Sequence, residues 1–302
     1  MRKANSFAVL LPEALQQVRQ ARSARDHAWR SSAIALVASC MCAASSAQAQ
    51  IGQGKAMPRP GGVLGDAERR LAIDFNAWPW SSIGRVNLVL GTSRGHCTGT
   101  LVGERHVLTA AHCLYDRRVG RWANASQVHF VVGQPGDKVF AHANVAGMII
   151  APEYKPDFVV KYRTAMQSAS DRLHDWAILV LGDKMNARPI GWRVVTDLAT
   201  EKALGDIAVA GFRGDRAYRL SVETGCKLAA HPEPGLVSHG CTSTPGESGG
   251  PILSLKAGSA EIVALNVGYT SEFVPGKGHV GKDAFGPLAA AFDAALKTAL
   301  GR

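Results

Sequence analysis

The chain has 302 residues, 46% of them hydrophobic and 32 of them glycine, with a formal net charge of +10. It is long enough for one large globular domain or two small ones, and its composition excludes a disordered tail. Residues 1–49 carry six Lys/Arg against two Asp/Glu, so +4 of the charge lies there and +6 is scattered among acids over the remainder, which leaves no footprint for binding nucleic acid.

Trp29-Arg30, the short apolar stretch Ala33 to Ala44 and the small-x-small ending Ala47-Gln48-Ala49 predict an export signal over 1–49, cleaved after Ala49 into the periplasm or the medium. The alternative is a lipoprotein signal, Val37-Ala38-Ser39-Cys40, which would anchor the chain at Cys40. No apolar run reaches the roughly 20 residues that span a bilayer, so no integral membrane segment is expected. Residues 50–75 are rich in Gly, Pro and charge, as in Pro58-Arg59-Pro60-Gly61-Gly62, and read as a linker or pro-segment. Four of the six cysteines, Cys97, Cys113, Cys226 and Cys241, lie beyond this leader. An even set in an exported chain suggests two disulfides.

From Asn76 onward, short Val/Ile/Leu-rich runs recur between turn residues: Gly84–Leu90, Gly99–Val102, Val128–Val132, Val145–Ile150, Ala177–Leu181, Ile207–Gly211, Ile252–Leu255 and Ile262–Val267. This pattern predicts an all-β sandwich or barrel architecture. The apolar pattern breaks over Ala187–Leu204 and divides the region into two comparable halves. At the C-terminus, Leu288, Phe292, Ala295, Leu296 and Ala299 recur every three or four residues and predict a helix over 286–302 that packs one face on the body.

Three segments carry chemistry. Pro245-Gly246-Glu247-Ser248-Gly249-Gly250-Pro251 surrounds a serine with glycines, which leave its hydroxyl unobstructed and let amides converge on one point. The N–H groups of Gly246 and Ser248 would form an oxyanion hole, each donor worth roughly 3–4 kcal/mol. Leu108-Thr109-Ala110-Ala111-His112-Cys113 supplies a histidine among small residues, the base that a serine nucleophile needs. A disulfide closing the loop between Cys97 and Cys113 would stabilise by roughly 3 kcal/mol and fix the histidine turn. Asp175 stands at the mouth of the apolar run Ala177–Leu181, where burial requires a donor such as an imidazole N–H. Asp171 and Asp183, in more polar surroundings, compete with it.

Gly246-Glu247-Ser248-Gly249-Gly250 also fits the G-x-S-x-G elbow of α/β-hydrolases. Those enzymes place an acid and then a histidine after the serine, whereas here His279 precedes Asp283 and Asp293. Gly276-Lys277-Gly278-His279-Val280-Gly281-Lys282 imitates a phosphate-binding loop, but Asp283 stands where the Mg²⁺-holding hydroxyl belongs, so the segment reads as a surface loop. The remaining histidines, among them His129, His142, His174, His231 and His239, show no metal-ligand spacing, and no metal or cofactor is expected.

Cys-Thr-Gly-Thr-Leu at 97–101, Leu-Thr-Ala-Ala-His-Cys at 108–113, Asp-Trp-Ala-Ile-Leu at 175–179 and Gly-Glu-Ser-Gly-Gly-Pro at 246–251 together resemble the trypsin/chymotrypsin superfamily. The likeness spans roughly residues 78–270 and is nearest to bacterial secreted trypsin-like and V8-like enzymes. The resemblance implies two six-stranded antiparallel β-barrels, 76–190 carrying His112 and Asp175 and 191–285 carrying Ser248, with the site between them. It implies the disulfide Cys97–Cys113; Cys226–Cys241 is the remaining pair and resembles the bacterial branch. It further implies serine endopeptidase activity on protein or peptide substrates by a monomer, the alternative being a catalytically silent relative that only binds. Thr242, Ser243, Asn266 and Gly268 would line the primary pocket; none is acidic, which argues against strict cleavage after Arg or Lys, and Asn266 replaces the pocket histidine of glutamyl endopeptidases. Glu247 stands where animal members have an aspartate that pairs with a freshly cut N-terminus, and no Arg-Ile-Val-Gly-Gly type activation site is present.

Overall fold

A computed structural model describes residues 74–90, 93–117, 119–133, 141–156, 169–196, 198, 204–275 and 278–302. The expected export signal over 1–49, with Cys40, and nearly all of the segment over 50–75 lie outside the described residues.

The first half comprises β1 (Ile83–Leu90), β2 (Ser93–Gly103), β3 (His106–Thr109), the two-residue strands β4 (Tyr115–Asp116) and β5 (Arg121–Trp122), β6 (Val128–Val132), β7 (Ala141–Ile150), the short helix α1 (Ala169–Leu173) and β8 (Ala177–Leu181). Six of these close into a barrel in the order β1-β2-β3-β8-β7-β6. Closure through β1 and β6, registered from Gly84 opposite Val132 to Leu88 opposite Val128, leaves the barrel with no free edge. Along β6 the side chains alternate, with Val128, Phe130 and Val132 inside and His129 and Val131 toward the surface. In β8 the neighbours Ala177, Ile178 and Leu179 are all fully buried, because this strand is covered on both faces.

The second half comprises β9 (Gly191–Trp192), β10 (Asp206–Phe212), β11 (Leu220–Thr224), β12 (Leu228–Ala230), β13 (Leu236–His239), β14 (Gly250–Lys256), β15 (Ser259–Asn266), β16 (Gly268–Val274) and β17 (Gly278–Pro287). The all-β make-up expected from the periodicity is present in both halves, but only the first is a continuous ladder. The second is hydrogen-bonded as a five-stranded sheet, β11-β10-β14-β15-β9, and a four-stranded sheet, β12-β13-β17-β16. They meet through the single bridge Ala264–Leu288 and the bond from Val267 N–H to Phe285 O at 3.0 Å. Ile207, Val209, Val237, Ile252, Val263 and Leu288 form the core enclosed there. β9, parallel to β15, ties the connection between the halves into the second.

Two expectations need correction. The 278–282 part of the phosphate-loop imitation is not a surface loop but the start of β17, paired with β16 from Val274 opposite Gly278 to Ser271 opposite Gly281. The C-terminal helix starts later than 286, because the backbone stays in β17 through Pro287 and turns as a 3-10 helix over Ala289–Ala291 before α2 (Asp293–Ala299). Phe292 and Leu296 are fully buried, as the apolar period required. The Asp293 carboxylate accepts a 2.9 Å bond from Trp192 Nε1–H and so ties the helix start to β9. Among the described residues, no helix is long and apolar enough to cross a membrane.

Candidate active site

His112 lies in the 3-10 turn Ala111–Leu114 that follows β3. Ala110, Ala111 and Leu114 are fully buried, so this turn is packed into the barrel wall while the His112 side chain keeps 17% of its exposure. Asp175 is fully buried at the entrance to β8. Because β3 and β8 are paired, with Thr109 opposite Ala177, the two segments must meet. One Asp175 oxygen accepts the His112 backbone N–H at 2.8 Å and the other lies 2.7 Å from Nδ1. This bidentate arrangement sets the imidazole's orientation and tautomer, with the proton on Nδ1 and the lone pair of Nε2 directed away from the acid. Asp171, the competing acid on α1, instead accepts the Lys155 N–H at 3.1 Å.

Ser248 is brought to this pair from the second half. Cys97 and Cys113 form a disulfide with Cα atoms 6.2 Å apart, and Cys113 Sγ lies 3.7 Å from His112 Nε2 and 3.9 Å from Ser248 O. The sulfurs are bonded to each other, so this cluster of two cysteines and a histidine offers no thiolate to a metal. Among the described residues the Ser248 hydroxyl makes no hydrogen bond to the imidazole; such bonds are commonly long before substrate is bound.

The turn around Ser248 requires its glycines. Gly246 has φ +100° and Gly249 φ +80°, both in the region that side chains disfavour. A Cβ on Gly249 would sit 2.3 Å from Thr98 O and 2.4 Å from Thr109 Oγ1. Within the turn, the amides of Glu247, Gly249 and Gly250 donate to Thr244 O, Asn266 O and Glu247 O at 3.0, 2.7 and 2.9 Å. The amides of Gly246 and Ser248, the two expected to hold an oxyanion, have no acceptor among the described residues.

Thr98, a residue whose role the sequence does not disclose, joins the halves. It is fully buried. Its N–H donates to Ser248 O at 2.8 Å, its hydroxyl accepts from Phe212 N–H and donates to Gly246 O, both at 2.9 Å, and its carbonyl accepts from Thr109 Oγ1 at 2.7 Å. One residue of β2 thus holds the serine turn at two points, Ser248 O by its N–H and Gly246 O by its hydroxyl.

Of the expected pocket residues, Ser243 and Asn266 come together, with Ser243 Oγ donating to Asn266 Oδ1 at 3.2 Å. Asn266 also donates to Glu247 O at 3.3 Å, which connects it to the turn. Thr242 is buried and its N–H donates to a carboxylate oxygen of Glu223 at 3.0 Å. Gly268 faces the Phe285 ring, which a Cβ would approach to 3.0 Å. Two further buried polar residues lie in this region, neither of which the sequence assigns to the site. Glu223 is the acid behind Thr242, and His239 Nε2 lies 3.3 Å from Asn266 Oδ1. Burial holds the His239 imidazole down to about 4, so it is neutral. The only sequence signal for either was a lone polar residue within a strand. Cys226 and Cys241, bonded with Cα atoms 5.4 Å apart, close the loop that carries β12 and β13 and ends beside Thr242.

The barrel-borne His112–Asp175 pair, the glycine-flanked Ser248 and the two-half β architecture together point to the class of the β-barrel hydrolases. The Trypsin family model matches residues 75–280, and the chain belongs to this family of serine-type endopeptidases. It is 33% identical over 66 residues to a glutamyl endopeptidase of Bacillus licheniformis, a match covering 22% of this chain and 20% of that protein. It is 29% identical over 187 residues to the cercarial protease of Schistosoma mansoni, covering 54% of this chain and 67% of that protein. Among solved structures, a Glu endopeptidase in complex with MPD superposes with a TM-score of 0.60 at 20% identity, over 80% of this chain and 100% of that one. The protease Anisep from Arthrobacter nicotinovorans gives 0.54 at 18% identity, over 74% and 96%. These structures share the chymotrypsin-like fold.

Proposed function

We propose that the chain is a serine endopeptidase working through an acyl-enzyme, with Ser248 as nucleophile, His112 as general base and then acid, and Asp175 as the carboxylate that orients the imidazole. The observation that carries this reading is the 2.7 Å contact between Asp175 and Nδ1, which turns Nε2 away from the acid. His112 Nε2 would take the hydroxyl proton as Ser248 Oγ attacks a peptide carbonyl, and would return it to the departing amine. The Gly246 and Ser248 amides would receive the negative charge that develops on the carbonyl oxygen. Water would then release the acyl group by the same steps in reverse, and no cofactor enters the scheme.

Substrates are proposed to be proteins or peptides, and the enzyme to act as a monomer, exported by cleavage after Ala49. The disulfides agree with an oxidising compartment. The pocket side chains Thr242, Ser243 and Asn266 are neutral, so exclusive cleavage after Arg or Lys is not expected; a peptide-library profile showing it would overturn that assignment. The activity itself is tested with a fluorophosphonate probe: labelling is expected in the parent and lost in Ser248→Ala. A folded parent that takes no label would refute the protease reading.

A further inference from the structure

Glu247 carries its carboxylate one methylene further than the aspartate that the family resemblance leads one to expect at this position. The side chain folds back on its own turn: Oε2 accepts the Thr244 N–H at 2.7 Å and the Thr244 hydroxyl at 2.8 Å. In return the Glu247 N–H donates to Thr244 O at 3.0 Å. These three bonds close a ring across Thr244-Pro245-Gly246-Glu247, the segment that carries the Gly246 amide. Gly211 of β10 packs against the base of this side chain, and a Cβ there would lie 2.9 Å from both Cβ and Cγ of Glu247. The charged groups that act on it are Arg213 and Asp215, and they are bonded to each other at 2.8 and 3.1 Å. Glu247 is 4% exposed, and burial raises its carboxyl to about 7, so no full counter-charge is committed to it.

We infer that Glu247 is a positioning residue that assembles the oxyanion turn from within by capping Thr244, so that activity does not depend on the amino group of a processed N-terminus. The proposal rests on the protease reading above. The cap needs an acceptor at the right distance rather than a negative charge: a glutamine keeps an oxygen at that distance, whereas an aspartate keeps the charge but falls a methylene short. A carboxylate serving as counter-ion to an N-terminal ammonium would show the opposite preference.

The test compares the full chain with Glu247→Gln, Glu247→Asp, Glu247→Ala and Thr244→Val, measuring kcat and KM on a peptide ester, fluorophosphonate labelling, and folding by circular dichroism. Glu247→Gln is expected to stay within about threefold of the parent kcat, and Glu247→Asp and Glu247→Ala to lose about 10²-fold in kcat with little change in KM, the loss typical of one oxyanion donor. Thr244→Val, which removes one of the two bonds to Oε2, should fall between. Mass spectrometry of the labelled parent should find the probe on chains with differing N-termini. Retention by Glu247→Asp with loss in Glu247→Gln, equal activity in all variants, or labelling confined to chains beginning at one residue would each overturn the cap. A folded parent without label or turnover would overturn the protease reading, and the cap with it, a signature unlike any of the others because every chain would then be inert.

Discussion

Thr98→Val is the most direct test of how the two halves are joined. Valine matches threonine in shape, so no cavity is created, but it can neither accept the Phe212 N–H nor donate to Gly246 O. Both bonds are 2.9 Å long and the Thr98 side chain is wholly enclosed. Leaving a buried polar group unsatisfied costs about 1–3 kcal/mol. Phe212 is 1% exposed and should incur most of that, while the half-buried Gly246 carbonyl should incur less. The sum is about 3 kcal/mol. Activity should also fall, because Gly246 is the residue whose amide is proposed to meet the oxyanion, and a displacement on the order of 1 Å at a reacting centre costs about 10²-fold. Thr98→Ser, which keeps the oxygen, should retain most of both. Urea unfolding would be measured with disulfides intact in a Ser248→Ala background, so that self-digestion does not distort the curves, and kcat/KM in the active background. A midpoint shift at constant m reports the stability change. A Thr98→Val protein within about 0.5 kcal/mol of its parent, or a Thr98→Ser protein as impaired as Thr98→Val, would show that these two bonds do not join the halves.

Gly249→Ala should fail to accumulate as folded enzyme, or lose at least about 2 kcal/mol in the same unfolding assay, because its φ of +80° and the 2.3 Å approach to Thr98 O leave no room for a methyl. Asp175→Asn, which cannot accept both His112 N–H groups, should reduce kcat by roughly 10³–10⁴ with a small change in KM, as determined by active-site-titrated kinetics. Two buried groups make opposite contributions to the dependence of stability on pH. His239, at about 6.5 when unfolded and about 4 when folded, contributes stability that is complete above pH 6.5 and lost as pH falls toward 4. Glu247, moved from 4.5 to about 7, contributes stability that is complete below pH 4.5 and lost as pH rises through 7. Each amounts to about 3 kcal/mol over its window. The parent should therefore show a shallow profile between pH 4.5 and 6.5, which Glu247→Gln steepens toward loss at acid pH and His239→Gln inverts; unfolding curves at half-unit steps that coincide for all three proteins would contradict both assignments.

The strands that the sequence discloses are those whose two faces differ or are both apolar. β6 and β8 were bounded to the residue, because Val128, Phe130 and Val132 alternate with surface positions and Ala177–Leu181 is uniformly apolar. β11 and β13 escaped because Glu223 and His239 interrupt their apolar pattern from buried positions, and β17 because its glycines imitated a loop. The site divides in the same way. His112, Asp175 and Ser248 announce themselves through near neighbours in sequence: small residues that permit close approach, a cysteine that fixes a turn, glycines that adopt positive φ.

Thr98, Asn266 and His239 have no such local signature, since their partners are far along the chain. The Thr98 hydroxyl reaches residues 114 and 148 positions away, and a threonine in a strand looks the same whether it bonds to nothing or to a strand and a turn of the other half. The chemistry of the site is thus written in short motifs, while the rigidity that makes the chemistry efficient is written in contacts that exist only after the halves meet. The same division explains why specificity is harder to read than mechanism. A triad must reproduce one geometry, so its motifs are narrow. A pocket needs only the right shape and polarity at its floor, and the residues proposed for it here, Ser243 and Asn266 with the neutral His239 bonded to Asn266, come from separate strands and the turn between them.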